Sequence, residues 1–136
     1  MTQPDPIETV PAGTSTGLAP NVSGALAYLL GPITGIIFLV LEKRSSYVRF
    51  HAAQSIGIWV AFFAVSIVLS VLMMILTQIP VIGVLIGIAW FLVSMFLGLG
   101  GFLLWIFLMY KGYSGDEWEF PWVGRQVRQV LLKGSV

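Results

Sequence analysis

The chain has 136 residues, of which 57% are hydrophobic and only 10% charged, against roughly 25% charged in a soluble domain, so an apolar core under a charged shell is excluded and lipid must take the place of that shell. A net charge of +1 argues against a nucleic-acid surface, and the seven Lys and Arg form no long basic run. Cysteine is absent, which excludes disulfides, thiol catalysis and thiolate metal sites.

Residues 1–21 hold four of the seven prolines, two acids and no base, and read as a disordered or extended tail. An acidic, proline-rich start of this kind is not a secretory signal, which needs a basic start and an apolar core.

The first apolar segment, residues 22–41, would reach about 30 Å as one helix, the thickness of the hydrocarbon core. Gly31, Pro32 and Gly35 interrupt it, and Pro32 predicts a kink. The second segment, residues 52–77, is long enough to span with tilt. The third stretch, residues 79–110, would reach about 48 Å as one straight helix. It is divided here into a tilted or interfacial lead over 80–89 and a span over 90–110. The expectation is therefore an all-α, polytopic transmembrane bundle of three spans within a domain over 22–110. Residues 111–136 form a cytoplasmic amphipathic tail, in which Val123, Val127, Val130 and Leu131 share one face of an interfacial helix.

Bases fix the expected orientation. Lys43, Arg44 and Arg49 follow the first segment, and Lys111, Arg125, Arg128 and Lys133 follow the third. The positive-inside rule then places the 42–51 connection and the C-terminus inside, and the N-terminal tail outside, a cytoplasmic membrane of prokaryotic type.

Small residues are unevenly placed. Gly31 and Gly35, and Gly83 and Gly87, have GxxxG spacing, and Gly98 continues the stripe on the third segment. Such stripes let helix backbones approach closely, within one chain or between two. Gly87 is expected to be more sensitive to a bulky replacement than Gly31. Ser55, Ser66, Ser70 and Thr77 form a hydroxyl stripe on the second segment, which suits either helix packing or a hydrophilic path.

No Asp, Glu, Lys, Arg or His lies between residues 52 and 110, so proton-coupled transport and voltage sensing lack the buried charges they use. His51 is the only histidine and has no cluster of ligands around it in sequence. His51 and Ser55 are one turn apart, but no acid or oxyanion site completes a catalytic set. Arg49, Phe50, His51, Gln54 and Ser55 straddle the entry to the second segment, and are expected to form an interaction collar that packs the C-terminal segment or docks a partner. No catalytic residue, metal or cofactor is expected.

The run ALAYLLGPITGIIFLVLEKRSSYVRFHAAQSIGIW, followed by MYKGYSGDEWEFPWVG, resembles the small prokaryotic membrane proteins grouped as a Tic-twenty-like domain of unknown function. That group is distantly similar to a subunit of the chloroplast inner-envelope import translocon. The resemblance covers residues 22–127 and is most specific over 48–55. It implies membrane residence and, through the chloroplast relative, four spans and a part in a protein-conducting complex. The resulting expectation is a non-enzymatic multi-pass membrane protein, an accessory or assembly subunit. Its partners are the lipid bilayer and other membrane subunits or copies of itself, with no nucleic acid. The alternative is a transport or translocation component.

Overall fold

The computed structural model describes residues 13–134. Within them the chain is all-helical: α1 (Pro20–Leu26), α2 (Pro32–Leu41), α3 (Ser46–Leu76), α4 (Ile82–Ser114) and α5 (Val123–Lys133).

Helices α3 and α4 are the two elements long and apolar enough to cross a membrane. At 31 and 33 residues they reach about 46 and 50 Å. The most apolar eighteen-residue stretch of α3 has none of its residues buried within the chain, and that of α4 only 6%. A core helix of a soluble protein would be covered by its own chain, so these faces belong to lipid. Both helices exceed the roughly 30 Å hydrocarbon thickness, and the excess lets the first turns of α3 lie in the polar interface.

The third apolar stretch is one helix, α4, without a separate lead over 80–89. Gly98, Gly100 and Gly101 are all accommodated within it. A tight connection precedes it, in which Val81 takes φ +65°.

The first apolar segment is not a single span. It divides into α1, of seven residues, and α2, of ten, and each falls short of the roughly 17 residues a crossing requires. Gly31 has φ +59°, a left-handed conformation that glycine adopts freely, and Pro32 opens α2 where its missing N–H costs nothing. The expected kink is therefore a reversal. Contacts trace it: Gly24 approaches Tyr47 and Gly112, while Gly31 meets Trp59 and Gly35 meets Ala52 and Ile56. Thus α1 runs inward beside α3 and α4, and α2 returns along α3 to the 42–45 connection.

A reversal at this depth needs its backbone satisfied by protein, because lipid offers no hydrogen bonds. The Trp105 indole N–H donates to the Tyr28 carbonyl (2.8 Å) and the Ser55 hydroxyl to the Gly31 carbonyl (3.1 Å). Thr34 Oγ1 donates to the Ala27 carbonyl (3.1 Å) and accepts from the Leu30 N–H (3.2 Å).

The described part of the N-terminal tail ends where α2 ends. The Ser15 N–H donates to both Glu42 carboxylate oxygens (3.0 and 2.9 Å), and the Lys43 N–H donates to Ser15 Oγ (3.1 Å). Residues 13–19 therefore lie at the same end of the bundle as the 42–45 connection, which replaces the expectation of opposite sides. Residues 1–12 of the expected tail lie outside the described residues.

Candidate functional site: a polar knot at one end of the bundle

Every described charged side chain belongs to one end of the bundle, where α3 starts and α4 finishes. Tyr47 marks this by donating from its hydroxyl to the Gly112 carbonyl (2.6 Å). Around it Tyr28, Phe50, His51, Gln54 and Ser55 are buried.

Gln54 is the hub. Its amide N–H groups donate to Tyr28 Oη (3.0 Å) and to the Trp118 carbonyl (3.1 Å), and its Oε1 accepts from the Phe120 N–H (3.0 Å). One side chain thus joins the turn after α1, α3 and the 115–122 segment. Tyr28 Oη is also 3.0 Å from His51 Nδ1. With Gln54 donating to Tyr28, the phenol hydrogen goes to Nδ1 and the imidazole carries its own on Nε2. His51 is 1% exposed, and its Nε2 has no partner in hydrogen-bond geometry, although the Asp116 main chain acts on the ring. His51 and Ser55 are not bonded to one another, because Ser55 serves Gly31.

Two devices tie the connections. Burial disfavours the Glu42 carboxylate, but the N–H groups of Ser45, Ser15 and Arg44 outweigh that and hold the group down at about 2. Arg49, another member of the expected collar, donates to the carbonyls of Leu39 (3.3 Å) and Glu42 (2.8 Å), closing the end of α2.

The C-terminal segment is fastened from its own side. Arg128 lies 4.8 Å from the centre of the Phe50 ring, and pairs with Glu119 and with Glu117 (3.2 Å). Glu119, then burial, then Glu117 set its affinity for the proton, with a net rise. Lys111 meets Asp116 at 2.9 Å and holds that exposed carboxyl below its ordinary range. Trp122 carries φ +69° and is 63% exposed, a conformation that costs a bulky side chain about 1–3 kcal/mol.

Of the five collar residues, Phe50 and Gln54 meet the C-terminal segment, whereas His51 meets Tyr28, Arg49 serves the end of α2 and Ser55 serves Gly31; the glycines separate into two groups. A Cβ on Gly31, Gly35 or Gly83 would collide with Trp59, the Ala52 carbonyl and Thr77 respectively. One on Gly87 or Gly98 would meet nothing within 4 Å. Gly98 instead opens onto a crevice of about 430 Å³ between α3 and α4, lined also by Ser66, Ser70, Ser94, Gly101 and Trp90. The hydroxyl stripe reaches this crevice through Ser55, Ser66 and Ser70. Thr77 bonds back to the Met73 carbonyl of its own helix. Sequence reading missed Tyr28 and Trp105, single aromatic residues whose partners lie far along the chain; Trp118, read there as suited to the headgroup region, takes part through its carbonyl.

Apart from His51 Nε2, the side-chain polar atoms buried here bond to other groups of the chain, an arrangement that fixes helices against one another.

Comparison with known proteins fits this picture. A UPF0132 membrane protein of Archaeoglobus fulgidus is 44% identical over 111 residues, covering 82% of this chain and 94% of that one. One from Methanocaldococcus jannaschii is 41% identical over 111 residues, covering 82% and 87%. A second from that organism is 36% identical over 108 residues, covering 79% and 67%. No solved structure matches. These findings give no support to the translocon resemblance, and replace it with another grouping. The profile of the magnetosome magnetite crystal formation protein family matches residues 15–127, and the chain, a membrane protein like its archaeal UPF0132 relatives, belongs to that family.

Proposed function

We propose that this chain is a non-enzymatic membrane subunit that assembles with other membrane-embedded chains, the α3–α4 crevice receiving a transmembrane helix of the neighbouring subunit. The crevice itself carries the reading. Small residues from both long helices (Ser66 and Ser70 on one wall, Ser94, Gly98 and Gly101 on the other) line it within the apolar part of the bundle, and small residues are what allow helix backbones to approach in lipid. The polar knot supports the same reading, since it holds the two long helices at one end and leaves their other contacts free. The positive-inside rule puts the knot on the cytoplasmic side of a prokaryotic membrane. The family description speaks of magnetite crystal formation in magnetosomes. What is carried over to this chain is only an organising role within a membrane.

Gly98→Phe tests the proposal, because Gly98 lines the crevice and a Cβ there meets nothing within 4 Å. In mild detergent the parent should migrate as a larger assembly, and the variant as a smaller one with an unchanged melting temperature. A parent that is a lone monomer, or a variant with an unaltered assembly, contradicts it. Conductance in liposomes that rises with copy number would favour instead a path lined by Ser55, Ser66 and Ser70.

A further inference from the structure

A second cleft, of about 360 Å³, lies between α2, α3 and α5. Its walls are Leu39 of α2, Ala53 and Ile56 of α3, and Val127, Val130 and Leu131 of α5, with Gln126 the single polar side chain among its lining residues. Depth can be read along it. Val123, at the start of α5, sits against Gly57, the twelfth residue of α3, whereas Leu39 lies near the end of α2, close to the polar connection.

Charge is unbalanced at this end. Residues 13–134 contain seven bases and four acids. All four acids are engaged: Glu42 by backbone N–H groups, Asp116 by Lys111, and Glu117 and Glu119 by Arg128. Arg49 is spent on carbonyls. The side chains of Lys43, Arg44, Arg125 and Lys133 are exposed. Lys43 and Arg44 follow Leu39 by about one helical turn, and Lys133 follows Val130 by three residues. Leu39 and Val130 line the cleft, so these bases lie within a few residues of its lining. Trp122, exposed, also lines the cleft, beside Val123 at its deep end.

An apolar cleft beside bases that no described acid compensates matches one molecule that the surrounding bilayer supplies. We propose that the α2–α3–α5 cleft seats an acyl chain of an anionic phospholipid, whose headgroup phosphate is held by Lys43, Arg44 and Lys133. The chain enters between Ala53 and Val127, and the phosphate stays in the interface, where Lys and Arg side chains reach it with their stems on apolar surface.

The test uses the full chain in nanodiscs of mixed phosphatidylglycerol and phosphatidylcholine, extracted gently and read by native mass spectrometry for retained lipid. Phosphatidylglycerol should be retained over phosphatidylcholine by about tenfold relative to its share in the bilayer. The triple variant Lys43→Gln, Arg44→Gln, Lys133→Gln, altered only at exposed side chains, should lose that preference. Val130→Trp, placed at the exposed rim of the cleft, should lower retention of both lipids while leaving the charges in place. Equal retention of the two lipids by the parent, or a preference that survives the triple variant, overturns the headgroup assignment. Full retention by Val130→Trp overturns the cleft as the seat of the chain, as does displacement of the lipid by glycerol phosphate alone.

Discussion

Gln54 bonds to three groups from two distant stretches of chain, so removing it leaves three partners behind. Gln54→Ala strands the Trp118 carbonyl and the Phe120 N–H, and takes one donor from Tyr28. Loss is expected to cost about 2–3 kcal/mol, seen as a lower melting temperature in detergent together with faster protease cleavage within residues 115–122. Cleavage at the parental rate would show that the knot does not hold that segment. Glu42 acts in the same way on the N-terminal side. Its carboxyl is held at about 2, against an ordinary value of 4.5, so the stability it contributes is complete above about 4.5 and is lost as pH falls through about 2. A spin label at Gly13 should be immobile at neutral pH and freed as the solution is acidified through that window, and in Glu42→Ala it should be mobile at every pH. Equal immobility in both proteins at pH 7 would contradict the latch. Some of this was legible in sequence: His51, Gln54 and Ser55 are polar residues at the edge of an apolar run, and polar side chains there call for partners. Tyr28 and Trp105 were not, because the phenol finds its partners 23 and 26 residues away and the indole finds its carbonyl 77 residues away, separations that no local pattern encodes.

Among the helices, the least legible was the first. Twenty apolar residues are the right length for a span, and composition alone gives no reason to divide them. Gly31 and Pro32 marked an interruption, but a kink and a reversal differ by the sign of one backbone angle, φ at Gly31, which the residue type permits without requiring. What selects the reversal is distant: Trp59 fills the space beside Gly31, and Ser55 and Trp105 satisfy the exposed carbonyls. The glycines of the two regions should accordingly respond in opposite ways. Gly31→Ala meets both a left-handed φ and the Trp59 indole, and is expected to destabilise the chain by more than about 2 kcal/mol. Gly87→Leu, with nothing within 4 Å, should stay within about 0.5 kcal/mol of the parent. This reverses the order expected from the glycine stripe, which recorded that small residues face something without saying whether it belongs to the same chain. Thermal melts of the two variants in one detergent decide it, and equal melting temperatures would remove the distinction. The period of Val123, Val127, Val130 and Leu131 was the clearest local signal, because an amphipathic surface helix writes its face into its sequence; α5 occupies Val123–Lys133.

At the scale of the whole molecule, two long helices are apolar and long enough to cross, and the described charged side chains gather at one end of them. Counting bases identified that end correctly for the 42–45 connection and for the residues after α4, which are joined by the Tyr47–Gly112 bond. It misplaced the N-terminal tail relative to them, since an odd number of crossings was inferred from a segment that turns back. The central claim is that residues 13–19, the 42–45 connection and α5 share one side, with the 77–81 connection alone on the other. Single cysteines in this cysteine-free chain at Ser15, Lys43, Gln78 and Gly134 test it directly with a membrane-impermeant thiol reagent applied to intact cells and then to opened ones. Gln78→Cys should be labelled in intact cells, and the other three only after the cells are opened. Labelling of Ser15→Cys in intact cells while Lys43→Cys stays protected would mean that the first apolar segment crosses after all, and would contradict the two-span architecture.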